Sequence, residues 1–166
     1  MSEGISGTGN RLRPVITSTA AAPEIRPFGI EMRVLAKTVD TGGRFSALLV
    51  VHQPGEGPPP HMHEEQVEVF FVIEGEYTLT VDGAEHRAGA GTLVFLPPQC
   101  VHGFKNTGSS PASMLDCSFP GGQDHMFQEL HEIAKGADPG ELGFKEAMMQ
   151  KTAAVNRKHK TTYFIR

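Results

Sequence analysis

Between Gly29 and Phe119 every apolar stretch is short and is cut off by Gly, Pro or a turn dipeptide. This punctuation constrains the fold more than any other feature. A packed helix needs a 3.6-residue period over about ten or more positions, whereas strands of roughly four to eight residues tolerate turn residues at close intervals. Ile30, Met32, Val34 and Ala36 alternate with more polar neighbours, and Thr41-Gly42-Gly43 supplies a turn. Residues 45–51 read as a buried strand. Residues 67–73 are apolar at almost every position, which predicts a strand buried on both faces and in need of cover on its outer one. Tyr77, Leu79 and Val81 alternate with Glu76, Thr78 and Thr80, and Asp82-Gly83 turns the chain into a hairpin with residues 84–87. Segments 92–96, 101–105 and 112–119 complete the series. The fold class expected is all-β, a sandwich or small barrel over residues 29–120. The 19 Gly and 12 Pro suit many strands joined by tight turns.

The flanks read differently. Residues 1–28 are expected to form an N-terminal arm, mobile over Met1 to Asn10. After residue 120 the period lengthens: Phe127, Leu130, Ile133 and Ala134 share one face of a helix over 124–135, with Gly136 as its stop. A second helix is expected from Asp138-Pro139, where Asp caps and Pro fits the first turn. Residues 121–166 are thus a helical tail packed on the barrel, with no expected part in chemistry and a solvated basic end at Arg157, Lys158 and Lys160. A chain of 166 residues with a net charge of −4 is one domain without the positive field that nucleic-acid binding requires. No stretch has the apolar length of a membrane span or signal peptide, so a cytoplasmic protein is expected. Cys100 and Cys117 read as two reduced thiols.

His61 and His63 carry the chemistry. Separated by one residue on an extended strand, both imidazoles project from the same face and can chelate one ion. Glu65 shares their parity. Glu68 does not, so it can join them only if the chain turns or bulges between Glu64 and Val67. His52, His86, His125, His131 and His159 lack such a context and read as structural or exposed.

Gly55, five residues, His61-Met62-His63, four residues, Glu68, six residues and Gly75 resemble the first cupin motif. Gly91, five residues, Pro97, then His102 and Asn106 resemble the second, with Gln99 where that motif usually has Gly. The resemblance implies a cupin jelly-roll β-barrel (double-stranded β-helix). It also implies one divalent transition metal ion, Fe, Mn, Ni, Cu or Zn, held by His61, His63, Glu68 and His102. By the family spacing Glu68 is favoured over Glu65. Homodimers are common in the family, and a second subunit or the helical tail is expected to cover the outer face of Val69, Phe71 and Ile73. Cys100 shares parity with His102 but reads as a small buried filler, and Asn106 reads as the residue ending its strand.

Three histidines and a carboxylate leave coordination positions open for water, dioxygen or substrate oxygen. The resemblance implies a quercetinase-like dioxygenase acting on a small phenolic or enol-type substrate, with Glu68 as both ligand and catalytic base. Phe70, Val72, Phe95 and Phe104 are candidates for the apolar pocket wall. Two alternatives use the same residues: a non-catalytic metal- or small-ligand-binding cupin, and a metal-dependent isomerase or lyase of a small sugar or acid.

Overall fold

The structure is a computed structural model and describes residues 12–135 and 144–164. The expectations of a mobile terminus, a stop at Gly136 and a helix start at Asp138-Pro139 fall outside the described residues.

Among the described residues, eleven strands form two antiparallel sheets, and two α-helices precede the last strand. The strands are β1 (Glu24–Ile25), β2 (Glu31–Ala36), β3 (Ser46–His52), β4 (His61–His63), β5 (Val67–Glu74), β6 (Glu76–Val81), β7 (Ala84–Gly89), β8 (Leu93–Leu96), β9 (His102–Asn106), β10 (Ala112–Phe119) and β11 (Thr161–Tyr163). Helices α1 (Gln123–Lys135) and α2 (Phe144–Lys158) lie between β10 and β11. One sheet runs β1-β2-β3-β10-β5-β8 and the other β11-β4-β9-β6-β7. This is the jelly-roll barrel with a C-terminal helical region that the strand spacing and the motif resemblance imply. The sheets reach beyond residues 29–120, because β1 pairs with β2 and β11 pairs with β4.

Turn chemistry explains the best-defined corner. Asp82 and Gly83 both take positive φ, 47° and 86°, as a two-residue hairpin loop requires, and Val81 pairs with Ala84 across it. Between the sheets, Phe70, Val72, Tyr77, Leu79, Leu96 and Met114 form one buried cluster. Ile25, Met32, Val34, Leu48 and Val50 form a second, against which Phe127 of α1 packs. Each such side chain contributes roughly 1.5–3 kcal/mol on full burial. Met126, Leu130 and Val155 tie the two helices together.

β5 departs from the expectation of burial on both faces. Glu68, Phe70 and Val72 are buried, but Phe71 is 41% and Ile73 50% exposed. The described part of the helical tail lies elsewhere: α1 packs against β1, β3 and the short turn Pro27–Gly29. Leu93 and Phe95, on the outer face of β8, extend the same apolar surface through the pairs Phe71–Leu93 and Val69–Phe95.

Candidate metal centre

His61 and His63 lie on β4, inward and buried, with His102 of β9 directly opposite His61 in the ladder. The chain turns between His63 and Val67, which reverses the parity and brings Glu68 onto the same interior. Gln66 holds this turn by donating to the carbonyls of Pro120 and Gly121. One ligand-type atom from each of His61, His63, Glu68 and His102 lies within 4.8 Å of all the others, and all four residues are buried. Glu65, by contrast, is exposed and pairs with Lys160.

The rings are oriented from outside. Nδ1 of His61 lies 3.0 Å from the carbonyl of Pro59, and Nδ1 of His102 lies 3.0 Å from that of Cys100. Nδ1 of His63 lies 3.1 Å from the hydroxyl of Thr161 on β11. A carbonyl only accepts, so Nδ1 carries the proton in His61 and His102; Nε2 of both faces inward, and that of His102 donates to Glu68. Tyr163, also on β11, stacks on His61 with centroids 4.9 Å apart and planes at 17°. Carbonyl or hydroxyl partners behind inward-facing imidazoles are the arrangement that supports metal-ligating histidines.

Glu68 Oε2 lies 2.8 Å from Nε2 of His102 and 3.4 Å from Nε2 of His63, while Oε1 accepts from the amide of Gln123. Burial alone would raise the Glu68 pKa, but the bond from His102 and the nearby His63 imidazole outweigh burial and hold it well below the ordinary carboxylate range. Burial lowers the pKa of His61 to about 4, so it is a neutral donor at physiological pH. In His102 burial also lowers the pKa, but the bond to Glu68 prevails and the net shift is upward. Asp116 on β10 is held well above the ordinary range by burial and then by the Glu68 charge. The two carboxyls therefore divide the roles, Glu68 ionised and Asp116 neutral. His63 Nε2 is buried without a hydrogen-bond partner. Three imidazoles, one of them with this orphaned nitrogen, and a carboxylate suit a divalent transition metal ion.

The cluster opens onto a cavity of about 320 Å³, lined mainly by apolar side chains including Met32, Val50, Met114, Met126 and Leu130. Of the four expected wall residues only Phe104 lines it. Phe70 and Val72 belong to the core, and Phe95 points outward at 60% exposure because Val94 and Leu96 take the inward positions of β8. Cys100 packs in the core as expected, and Asn106 ends β9 while donating to the carbonyls of His52 and Ser110.

Several contributors were not read from the sequence. His52 is buried, lines the cavity and bonds Tyr77. Asp116 carried a usable signal as the one charged residue in Ala112–Phe119. Gln123, Met126 and Leu130 of α1 and Asn156 of α2 line the cavity, so the tail closes the pocket rather than merely packing outside it. The Thr161-Thr162-Tyr163 run had the β-branched and aromatic composition of a strand.

A two-sheet barrel with a buried three-histidine, one-glutamate cluster beside an apolar cavity defines the class. Residues 48–118 match the cupin domain model, and the chain belongs to the cupin superfamily. It is 26% identical over 130 residues to the quercetin 2,3-dioxygenase of Bacillus subtilis, covering 76% of this chain and 38% of that protein. It is 30% identical over 95 residues to protein SchB of Streptomyces halstedii, covering 56% of this chain and 68% of that protein. An RmlC-like cupin from Shewanella frigidimarina superposes with a TM-score of 0.58 at 22% identity, covering 68% of this chain and 96% of that one. The chain spans 48%, 38% and 16% of the length of three of the curated relatives it matches.

Proposed function

We propose that this protein is a metal-dependent dioxygenase of quercetinase type, acting on a small phenolic or enol-type substrate. The observation that carries the reading is the convergence of His61, His63, Glu68 and His102, the first three of which line an apolar cavity. The similarity to quercetin 2,3-dioxygenase supports the same reaction class. A divalent ion held by these four residues supplies Lewis acidity toward a substrate oxygen and, where the ion is redox-active, access to dioxygen. Glu68 takes up the substrate proton at its carboxylate, while Gln123 holds that carboxylate in place through Oε1. The apolar lining excludes water from the reacting group. Among the described lining residues there is no Lys or Arg, which favours a neutral substrate over a sugar phosphate or small acid.

A homodimer goes with this reading. Val69, Phe71, Ile73, Leu93 and Phe95 present a continuous apolar outer face on two paired strands, of the kind that a second copy covers. Among the described residues no helix is long and apolar enough to cross a membrane, and both cysteines are free. The cytoplasmic location expected from the sequence is retained as part of the proposal.

The test is metal content of protein purified without added metal or a histidine tag, followed by oxygen uptake on phenolic and diketone substrates. Near-stoichiometric redox metal with uptake is the expected result. Metal without uptake across the panel overturns the oxygenase assignment and leaves an isomerase, a lyase or a binding protein.

A further inference from the structure

The cavity has a second polar point, away from the His–Glu cluster. His52 closes β3, is only 2% exposed and lines the cavity together with Phe104. It bonds Tyr77, which stands opposite Asn106 on β9, whereas His102 of the cluster stands opposite Val81. The two levels are four residues apart along β9, roughly 13 Å of strand.

The orientation of the ring is over-determined. Tyr77 and Phe104 meet it edge-on, with centroids 5.7 and 5.1 Å away and planes at 89° and 80°. Asn106 holds the backbone by donating to the His52 carbonyl at 2.9 Å. Tyr77 is fully buried, and among the described residues its hydroxyl has one partner, Nδ1 of His52 at 3.1 Å. A buried hydroxyl proton without an acceptor is costly, so the Tyr77 O–H donates and Nδ1 accepts. Burial keeps both groups in that form, raising the phenol pKa and lowering that of the imidazole to about 4. A neutral imidazole that accepts at Nδ1 carries its proton on Nε2. This nitrogen has no hydrogen-bond partner among the described residues, and unlike Nε2 of His63 it is not fully enclosed. On a buried residue that lines the cavity, its open side is the cavity. Such a donor is completed by a water or by a ligand oxygen.

We propose that His52 is a second anchor of the cavity, an uncharged N–H donor that takes a ketone-, aldehyde- or ester-type oxygen on the part of the ligand remote from the His–Glu cluster. The inference deepens the proposed function, because it rests on the cavity being the substrate pocket, but it requires neither the metal nor turnover. His52 then determines specificity without touching the reacting atoms.

The experiment titrates the metal-stripped full chain with acetophenone and α-methylstyrene, which share a shape and differ as C=O against C=CH2. The alkene leaves water more easily, so the quantity read is the ratio of the two affinities, compared between wild type and the double variant His52→Leu with Tyr77→Phe. Replacing both partners leaves no orphaned hydroxyl. The ketone-to-alkene ratio is expected to fall about five- to tenfold in the double variant, the effect of one lost hydrogen bond. An unchanged ratio overturns the proposal and puts the ketone elsewhere in the cavity. Nitrogen NMR of isotope-labelled wild type reads the same contact directly. The His52 signal is expected as the Nε2–H tautomer at neutral pH, with an Nε2 resonance that moves with acetophenone and not with α-methylstyrene. The Nδ1–H tautomer, or equal shifts with both compounds, overturns the proposal even if the double variant does not fold. Failure of both compounds to bind at millimolar concentration overturns it as well. Absence of oxygen uptake with the His52 contact intact counts against the dioxygenase reading alone.

Discussion

The hydroxyl of Thr161 on β11 lies 3.1 Å from Nδ1 of His63 on β4, joining residues 98 positions apart at the edge of the candidate metal centre. When Nε2 of His63 faces a metal, Nδ1 carries the proton and donates to this hydroxyl, which can donate onward to the carbonyl of His159 at 3.4 Å. Thr161→Val keeps the shape and removes the acceptor, so the imidazole loses the partner that sets its tautomer. Metal affinity is expected to fall by about 10–100-fold, as for other partners behind ligating histidines, and Thr161→Ser to recover most of it. Competition against a chromophoric chelator measures this, and equal affinity in wild type and Thr161→Val would remove Thr161 from the centre.

His61→Ala takes away one of the four converging donors and should abolish stoichiometric metal while the barrel remains folded by circular dichroism. Glu68→Gln keeps the size but removes the charge, and should weaken metal binding and eliminate turnover. Glu65→Gln changes only an exposed pair with Lys160 and should leave both intact. Elemental analysis of the three purified variants decides the assignment: full metal in His61→Ala, or a larger loss in Glu65→Gln than in Glu68→Gln, contradicts it.

Local periodicity made much of this legible. Alternation at Tyr77, Leu79 and Val81 and the Asp82-Gly83 turn specify a hairpin because side-chain period and turn dihedrals are properties of adjacent residues. The shared face of His61 and His63 follows from the same period. Where both faces of a strand are apolar the period carries no direction. Leu93, Val94, Phe95 and Leu96 therefore gave no means of telling that Phe95 points outward, whereas in the 67–73 run Glu68 marks the inner face and leaves Val69, Phe71 and Ile73 on the outer one. The roles of Gln123 and Thr161 were hidden for another reason. Their partners Glu68 and His63 lie 55 and 98 residues away, and only the packing of the tail onto the barrel brings them together.

His52 is buried, its Nδ1 lies 3.1 Å from the Tyr77 hydroxyl, and burial lowers its pKa to about 4. Its ordinary value is about 6.5, so below that pH the unfolded chain takes up a proton that the folded chain does not. The folded state binds fewer protons, and stability falls as pH drops from about 6.5 towards 4. The loss between pH 7.5 and 5 is about 2 kcal/mol from this residue alone. His52→Gln keeps a hydrogen-bonding partner for Tyr77 without titrating, so its urea-unfolding free energy should decline less over that interval. An unchanged pH slope in the variant refutes the assignment.

Gln99 occupies the position where the second cupin motif usually has Gly, and it holds φ at +66°. The turn is therefore kept, and its N–H donates to the carbonyl of His63 at 2.8 Å. A side chain in the left-handed region costs about 1–2 kcal/mol relative to the right-handed one, a penalty that Gly does not carry. Gln99→Gly should raise unfolding free energy by a few tenths to about 1 kcal/mol with metal affinity unchanged, and β-branched Gln99→Val should lower it by about 1–2 kcal/mol. Chemical denaturation of both variants tests the assignment, and destabilisation by Gly would reverse it.

Phe95 faces outward at 60% exposure and pairs with Val69, while Leu93, 63% exposed, pairs with Phe71. Because these side chains add little to the barrel core, a charge placed among them acts on association rather than on folding. In a two-fold dimer each substitution is present twice in one interface, so Phe95→Asp sets a buried or repelled charge in both halves of the contact. Light scattering after size exclusion should give a dimer for the wild type at micromolar concentration and a monomer for Phe95→Asp. Circular dichroism and metal content should be the same in the two proteins. A monomeric wild type removes the second copy as the partner of this face, and a variant that stays dimeric moves the interface elsewhere on the barrel.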